Sequence, residues 1–285
     1  MIPVTTYQET VIVKKYCKAN LFGSRNLMAG SFRSLSKQTT VFCDFDGPIV
    51  DVSDRYYSTY RLALADTREF YTELSSQPPV TDNIKQHILT KEQFWQMKQN
   101  RTPDLEIAQR SGLSDEMTTY FLSQVVEIVN RPSLLEQDKL QAGASWALNL
   151  LRAEGAKLIL VTLRDQNEAT RILAENGLLG LFTGIYGSGD NQAAYQNYAE
   201  YKTQLLKKAM IEHSTQAGRD NAWMIGDTEA DVLAGQAMGI PTIGLTCGIR
   251  SHQQLSQLTP TAIELNLFSA AHYLLGVNCQ QVCVG

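Results

Sequence analysis

The chain has 285 residues, 44% of them hydrophobic and 19% charged, with a formal net charge of -4. This composition belongs to a folded globular protein with core enough for one large domain or two, and it excludes disordered and fibrous classes. No apolar stretch approaches the roughly 20 residues that cross a bilayer, and no basic patch marks a polyanion site, so neither a membrane nor a nucleic acid is expected as a partner. Five cysteines, an odd number, do not make a disulfide framework and point to a reducing compartment, with the cytoplasm as the expected location.

Residues 1–39 read as an N-terminal extension. Their basic residues Lys14, Lys15, Lys18, Arg25, Arg33 and Lys37 face Glu9 alone, a bias shared with organelle-targeting peptides. A strand-like run at residues 10–16 and the lack of a secretory apolar core favour an ordinary extension. Next, Thr40-Val41-Phe42-Cys43 is short, β-branched and aromatic, and it ends in the turn signal Asp44-Phe45-Asp46-Gly47. It reads as a buried strand with two aspartates at its C-terminal tip.

From residue 54 to 138 the pattern becomes helical with polar faces, broken at Ser75-Ser76-Gln77-Pro78-Pro79 and at Asn100-Arg101-Thr102-Pro103. This is an all-helical insert. Alternation then resumes, with helices over 144–153, 167–176, 200–213 and 230–238 and strands at 157–161, 184–186, 222–225 and 242–245. Gly155 and Gly177 are the expected stops of the first two helices. Strands alternating with helices imply parallel pairing, so residues 40–53 and 139–275 should form a doubly wound, Rossmann-like α/β sheet. Residues 276–285 form a tail whose Cys279 and Cys283 lack the partners of a tetrahedral metal site.

Three strand tips carry the chemistry. Asp44 and Asp46 follow the first strand on one side of an extended chain, where they repel unless a cation or a shared proton separates them. Thr162 follows Leu158-Ile159-Leu160-Val161, and Gly226-Asp227, then Asp231, follow Trp223-Met224-Ile225. In open α/β sheets such tips hold ligands.

These motifs, DFDGPIVD, LILVT, a lysine and GDTEAD, in order over residues 40–275, resemble the haloacid dehalogenase-like hydrolase superfamily. The insert lies directly after the first motif, where the phosphoglycolate-phosphatase-like branch keeps a mobile helical cap. The resemblance implies a central strand bearing Asp44, flanked by those bearing Thr162 and Asp227. It also implies that the backbone carbonyl of Asp46 joins the carboxylates of Asp44 and Asp227 in binding metal.

Residue types agree with phosphoryl transfer, which needs a nucleophile, a cation and donors for the equatorial oxygens. Asp44 is the expected nucleophile, forming an aspartyl-phosphate, and Asp46 the acid and base. A hard oxygen site of this kind suits Mg²⁺, with Asp231 as a supporting or alternate ligand. The Thr162 hydroxyl, the Leu163 and Arg164 amides and the Gly47 turn are expected to contact phosphate. Lys202, 25 residues before Asp227, is the expected cation, with Lys207 and Lys208 as alternatives on a helix face. Two departures from the family pattern stand out: Thr203 follows that lysine where proline is common, and Pro48 replaces a common threonine.

Lys98 and Arg101 read either as recognition groups for a substrate carboxylate or second phosphate, or as a solvated helix end. His87, His213, His252 and His272 show no ligand spacing. The expected function is a Mg²⁺-dependent phosphatase for a small phosphorylated metabolite, phosphoglycolate or a comparable monoester. A phosphomutase or a non-catalytic protein on the same fold are the alternatives, and the oligomeric state is open. A 2-haloacid dehalogenase would not need Asp46, Asp227 and Asp231, and a phosphonate hydrolase would need a desolvated cap lysine, for which Lys91 and Lys98 carry no mark.

Overall fold

The computed structural model describes residues 39–74, 87–189, 193–213 and 221–276. The strand-like run at 10–16, the break at 75–79, and Cys279 and Cys283 lie outside them. After the first strand, β1 (Thr40–Cys43), the chain makes a short strand β2 (Val50–Asp51) and enters helices α1 (Ser53–Leu74), α2 (Lys91–Gln99), α3 (Asp104–Arg110), α4 (Asp115–Ile128) and α5 (Pro132–Leu135). It leaves them through β3 (Lys139–Leu140), which pairs antiparallel with β2. A two-stranded ribbon therefore brackets the helical insert. Then follow α6 (Ala144–Ala153), β4 (Lys157–Asp165), α7 (Gln166–Glu175), β5 (Phe182–Ser188), α8 (Ala193–Gln196), α9 (Ala199–His213), β6 (Ala222–Gly226), α10 (Glu229–Ala237), β7 (Thr242–Leu245), α11 (His252–Ser256), β8 (Ala262–Glu264) and α12 (Leu267–Leu274).

Six strands form one parallel sheet in the order β5-β4-β1-β6-β7-β8. Sheets covered on both faces read as unbroken apolar runs, and β1 is buried at every position. Alternation sends Val41 and Cys43 into one layer with Leu148 and Leu151 of α6, Leu173 of α7 and Leu267 of α12. It sends Phe42 into the opposite layer with Leu206 of α9 and Ala234 of α10. Burying each such leucine contributes roughly 1.5–3 kcal/mol. The expected doubly wound fold is present, and β1 lies between β4 and β6, so the strand order reverses beside it and the tips of all three converge.

The insert holds its own aromatic centre. Tyr60 of α1 stacks on Phe94 of α2 at 4.9 Å between ring centroids, and its hydroxyl shares a 2.8 Å hydrogen bond with Ser111 Oγ. Thr90 and Gln93 start α2 with a reciprocal capping box. The break expected at residues 100–103 falls between α2 and α3, where Arg101 adopts a φ of 60°. Several strands differ from expectation: β4 runs on to Asp165 rather than stopping at Val161, with residues 158–164 all buried, β5 spans Phe182–Ser188 rather than 184–186, and the short β2, β3 and β8 carry too few residues for a periodic signal.

Candidate active site

The tip of β1 is fixed before any side chain acts. The Asp44 amide donates to Ile225 O at 2.9 Å, and the Phe45 amide donates to Asp44 Oδ1 at 2.7 Å. The chain then turns back at Gly47, whose amide donates to Val50 O at 2.8 Å. Gly47 has a φ of 90°, and a Cβ there would lie 2.2 Å from Asp227 Cγ. A Cβ on Gly248 would lie 1.9 Å from Asp227 Oδ2. These two glycines let backbone close around Asp227 from both sides.

Lys202 lies at the centre of the acidic group. Its Nζ is 2.7 Å from Asp44 Oδ1 and 2.8 Å from Asp231 Oδ1, and it is 1% exposed. Lys207 and Lys208, the alternatives on α9, are both exposed. Asp231 divides its oxygens: Oδ2 accepts from the Thr228 amide and hydroxyl at the start of α10, at 3.1 and 2.7 Å, while Oδ1 faces Lys202. It is thus both a helix-start residue and part of the site.

Asp44, Asp227 and Asp231 each offer an oxygen within 4.8 Å of the others. All three are buried, with one lysine among them. Burial, then the charge on Asp231, raises the Asp44 carboxyl to about 7 against the pull of Lys202. Burial, then Asp231 and Asp44, pushes Asp227 well above the carboxylate range. Burial opposes the charge on Lys202, but Asp231 and Asp44 raise it. Asp227 Oδ2 accepts from the Ile249 amide at 2.7 Å, whereas Asp227 Oδ1 is buried without a hydrogen-bond partner. Buried oxygens of this kind are normally satisfied, so an orphan beside two further carboxylates fits a hard divalent cation.

Asp46 lies outside this acidic group. Its Oδ1 is 2.9 Å from Arg164 Nη2 and its Oδ2 3.4 Å from Arg55 Nη2. Both guanidiniums also bind Asp138, Arg55 through a 3.0 Å contact, and Arg164 reaches Glu168 at 3.5 Å. Arg55 begins α1 and Asp138 directly precedes β3, so the network ties both ends of the insert to the proton-handling candidate. Arg55 and Asp138 are 83 residues apart, and nothing in the local sequence marks either. Burial raises the Asp138 carboxyl against the opposing guanidiniums. Asp138→Asn keeps an acceptor but removes the charge both arginines face. It is expected to cost about 1–3 kcal/mol, read as a lowered urea midpoint.

Thr162 is buried in β4, three residues before its end, and its Oγ1 accepts from the Arg164 amide at 3.1 Å. Arg164 therefore differs from expectation. Its amide is engaged by Thr162 rather than held open for phosphate, and its side chain orients Asp46.

A cleft of about 80 Å³ lies over these tips, lined by Asp44, Asp46, Thr162, Leu163, Asp227 and Thr228 below, together with Tyr56, Lys98, Tyr195, Asn197 and Arg250. Lys98 reaches it as expected but is paired with Asp104 at 2.8 Å. Arg101 does not line it. The left-handed turn at the end of α2 sends its side chain outward to Glu229 at 3.3 Å, with 62% exposure. The same turn seals the insert to the core: the Ser251 amide donates to Gln99 O at 2.9 Å, and Gln99 Nε2 to Gly248 O at 3.0 Å. Tyr195 and Asn197 carry no motif and lie between β5 and α9, where no local signal marks them.

Residues 38–239 match the family model of the haloacid dehalogenase-like hydrolases. A phosphoglycolate phosphatase of Psychrobacter arcticus is 32% identical over 131 residues, which is 45% of this chain and 53% of that protein. The match thus spans about half the length of this curated relative. Among solved structures, a haloacid dehalogenase-like hydrolase from Streptococcus pneumoniae superposes with a TM-score of 0.55 at 21% identity, covering 83% of this chain and 98% of the other. A HAD-superfamily hydrolase from Geobacter sulfurreducens gives a TM-score of 0.52 at 16% identity, covering 85% and 99%. With its motifs on three adjoining strand tips and a family match across most of the core, the chain belongs to the haloacid dehalogenase-like hydrolase family.

Proposed function

We propose that the protein is a Mg²⁺-dependent phosphatase that hydrolyses a small phosphate monoester, phosphoglycolate-like or related, through an aspartyl-phosphate on Asp44. The observation that carries this is the pairing of Asp44 with Lys202 inside a buried group of three carboxylates. Asp44 Oδ1 is held by Lys202 and by the Phe45 amide, which leaves Oδ2 to attack phosphorus. As the Oδ2–P bond forms and the ester P–O bond breaks, Asp46 gives a proton to the departing alcohol oxygen. Water then attacks the aspartyl-phosphate, Asp46 takes a proton from it, and Asp44 is released with inorganic phosphate. Asp44, Asp227 and Asp231, with the backbone of Asp46, would hold Mg²⁺, which offsets phosphate charge when bound. Thr162 and Lys202 steady the transferring group. Residues 54–138 act as the cap over the core of 40–53 and 139–275.

No described helix is long and apolar enough to cross a membrane. We place the protein in the cytoplasm on its cysteine usage, Cys43 and Cys247 being free thiols.

The test is turnover of an aryl phosphate and a panel of metabolite phosphates, with Mg²⁺ and with chelator. Hydrolysis that chelator abolishes is expected. Isomerisation of hexose phosphates without release of phosphate would support a mutase instead, and inactivity on the whole panel a non-catalytic role. Proton competition gives a second check. With the Asp44 carboxyl near 7, Mg²⁺ binding releases a proton at lower pH, so affinity measured by calorimetry should be about tenfold weaker at pH 6 than at pH 8. The metal-free protein behaves in the opposite sense. A carboxyl raised by folding costs stability progressively as pH rises from near 4 to about 7.

A further inference from the structure

Around the upper cleft, the positive charges are already matched. Lys98 Nζ is 2.8 Å from Asp104 Oδ1 and lies against the Tyr56 and Tyr195 rings, at 5.9 and 5.3 Å from their centroids. Arg250 is bidentate to Glu229 at 2.6 and 3.0 Å, and its Nη1 donates to the carbonyls of Ile249 and Lys98. Each of these cations is thus held by a carboxylate, Glu229 being shared with the outward-facing Arg101. Arg164 also lines the cleft with Nε and Nη1 buried and lacking hydrogen-bond partners, but its guanidinium faces Asp46, Asp138 and Glu168. Asn197 is the neutral donor there: it lines the cleft, and its Nδ2 is buried with no acceptor. Its backbone is left-handed, at a φ of 51°, which asparagine tolerates better than most side chains. It follows α8 and so comes from the core, not from the helical insert.

We infer that Asn197 selects the alcohol part of the substrate, donating its amide hydrogen to an uncharged hydroxyl or carbonyl oxygen of a small phosphate monoester. This rests on the phosphatase reading above and, within it, favours a monoester with an uncharged alcohol part over phosphoglycolate itself. A carboxylate in the same place would give up its hydration for a neutral amide, among cations that acidic partners already hold. A hydroxyl or carbonyl loses less on entry and satisfies the waiting donor. The cleft of about 80 Å³ is well below the roughly 300 Å³ at which sites for larger ligands begin, so the alcohol has few heavy atoms.

The test compares ethyl phosphate, 2-hydroxyethyl phosphate and 2-phosphoglycolate, which place a methyl, a hydroxymethyl and a carboxylate at one position. With the full-length chain and Mg²⁺, kcat/KM is expected to be about tenfold higher for 2-hydroxyethyl phosphate than for either of the others. Asn197→Gly keeps the left-handed backbone but removes the donor, and the preference over ethyl phosphate should fall to about twofold or less. A general loss of activity cancels in that ratio. A wild-type preference for 2-phosphoglycolate, hydrolysis of all three without preference, or a preference that survives in Asn197→Gly overturns the assignment and leaves the phosphatase reading intact. If the glycine variant does not fold, the wild-type series decides. Failure to hydrolyse all three and an aryl phosphate overturns both.

Discussion

Asp44→Asn is expected to lower kcat on an aryl phosphate by at least ~10⁴-fold, the scale on which removal of a nucleophile acts. The amide has nearly the shape of the carboxylate, so Phe45 and Lys202 can still hold its Oδ1, while the other position becomes a nitrogen that does not attack phosphorus. Loss of activity through misfolding is separable. Burial raises the Asp44 carboxyl to about 7, which means that its charge opposes folding without metal. A neutral side chain there should leave the urea midpoint at pH 8 unchanged or higher. An inactive variant with an intact midpoint is the expected pair of results. Retained turnover would remove Asp44 from the nucleophile role.

Lys202→Met should damage both chemistry and fold. The ammonium is 1% exposed and is shared by two carboxylates, so its removal leaves Asp44 and Asp231 buried against each other. Breaking a buried pair from one side costs about 3–5 kcal/mol. The deficit should be largest near pH 8 and shrink toward pH 5, because protonation of the Asp44 carboxyl, raised to about 7 by burial, then removes one of the two facing charges. Turnover should fall by roughly 10²–10³-fold, the scale of losing one charge stabiliser at a transition state. Urea unfolding at the two pH values checks the first part and kcat at pH 8 the second. An equal deficit at both would show that the lysine acts mainly through packing.

Lys202 also illustrates how far spacing reaches. Its distance from Asp227 singled it out, but Lys207 and Lys208 lie on the same helix within two turns. Only the packing of α9 against β4 and α10 brings one of the three under β1 and leaves the others in water. Lys98 and Arg101 make the same point in the cap. Both follow one apolar stretch, and the left-handed turn at Arg101 separates them, one into the cleft and one out to Glu229.

The sequence alone settled the architecture and the acidic set. Strand-length apolar runs, glycine stops and the Asp44-Asp46 pair are local signals, because backbone periodicity and turn geometry act over a few residues. Tertiary structure decided what those groups touch. Arg55, Asp138 and Arg164 meet around Asp46 only when the β2–β3 ribbon closes the insert, and Asn197 reaches the cleft only when its segment folds back over the strand tips. No local pattern encodes such pairings. A buried charge or amide takes the partner that burial leaves within reach, and that partner is fixed by how distant elements pack.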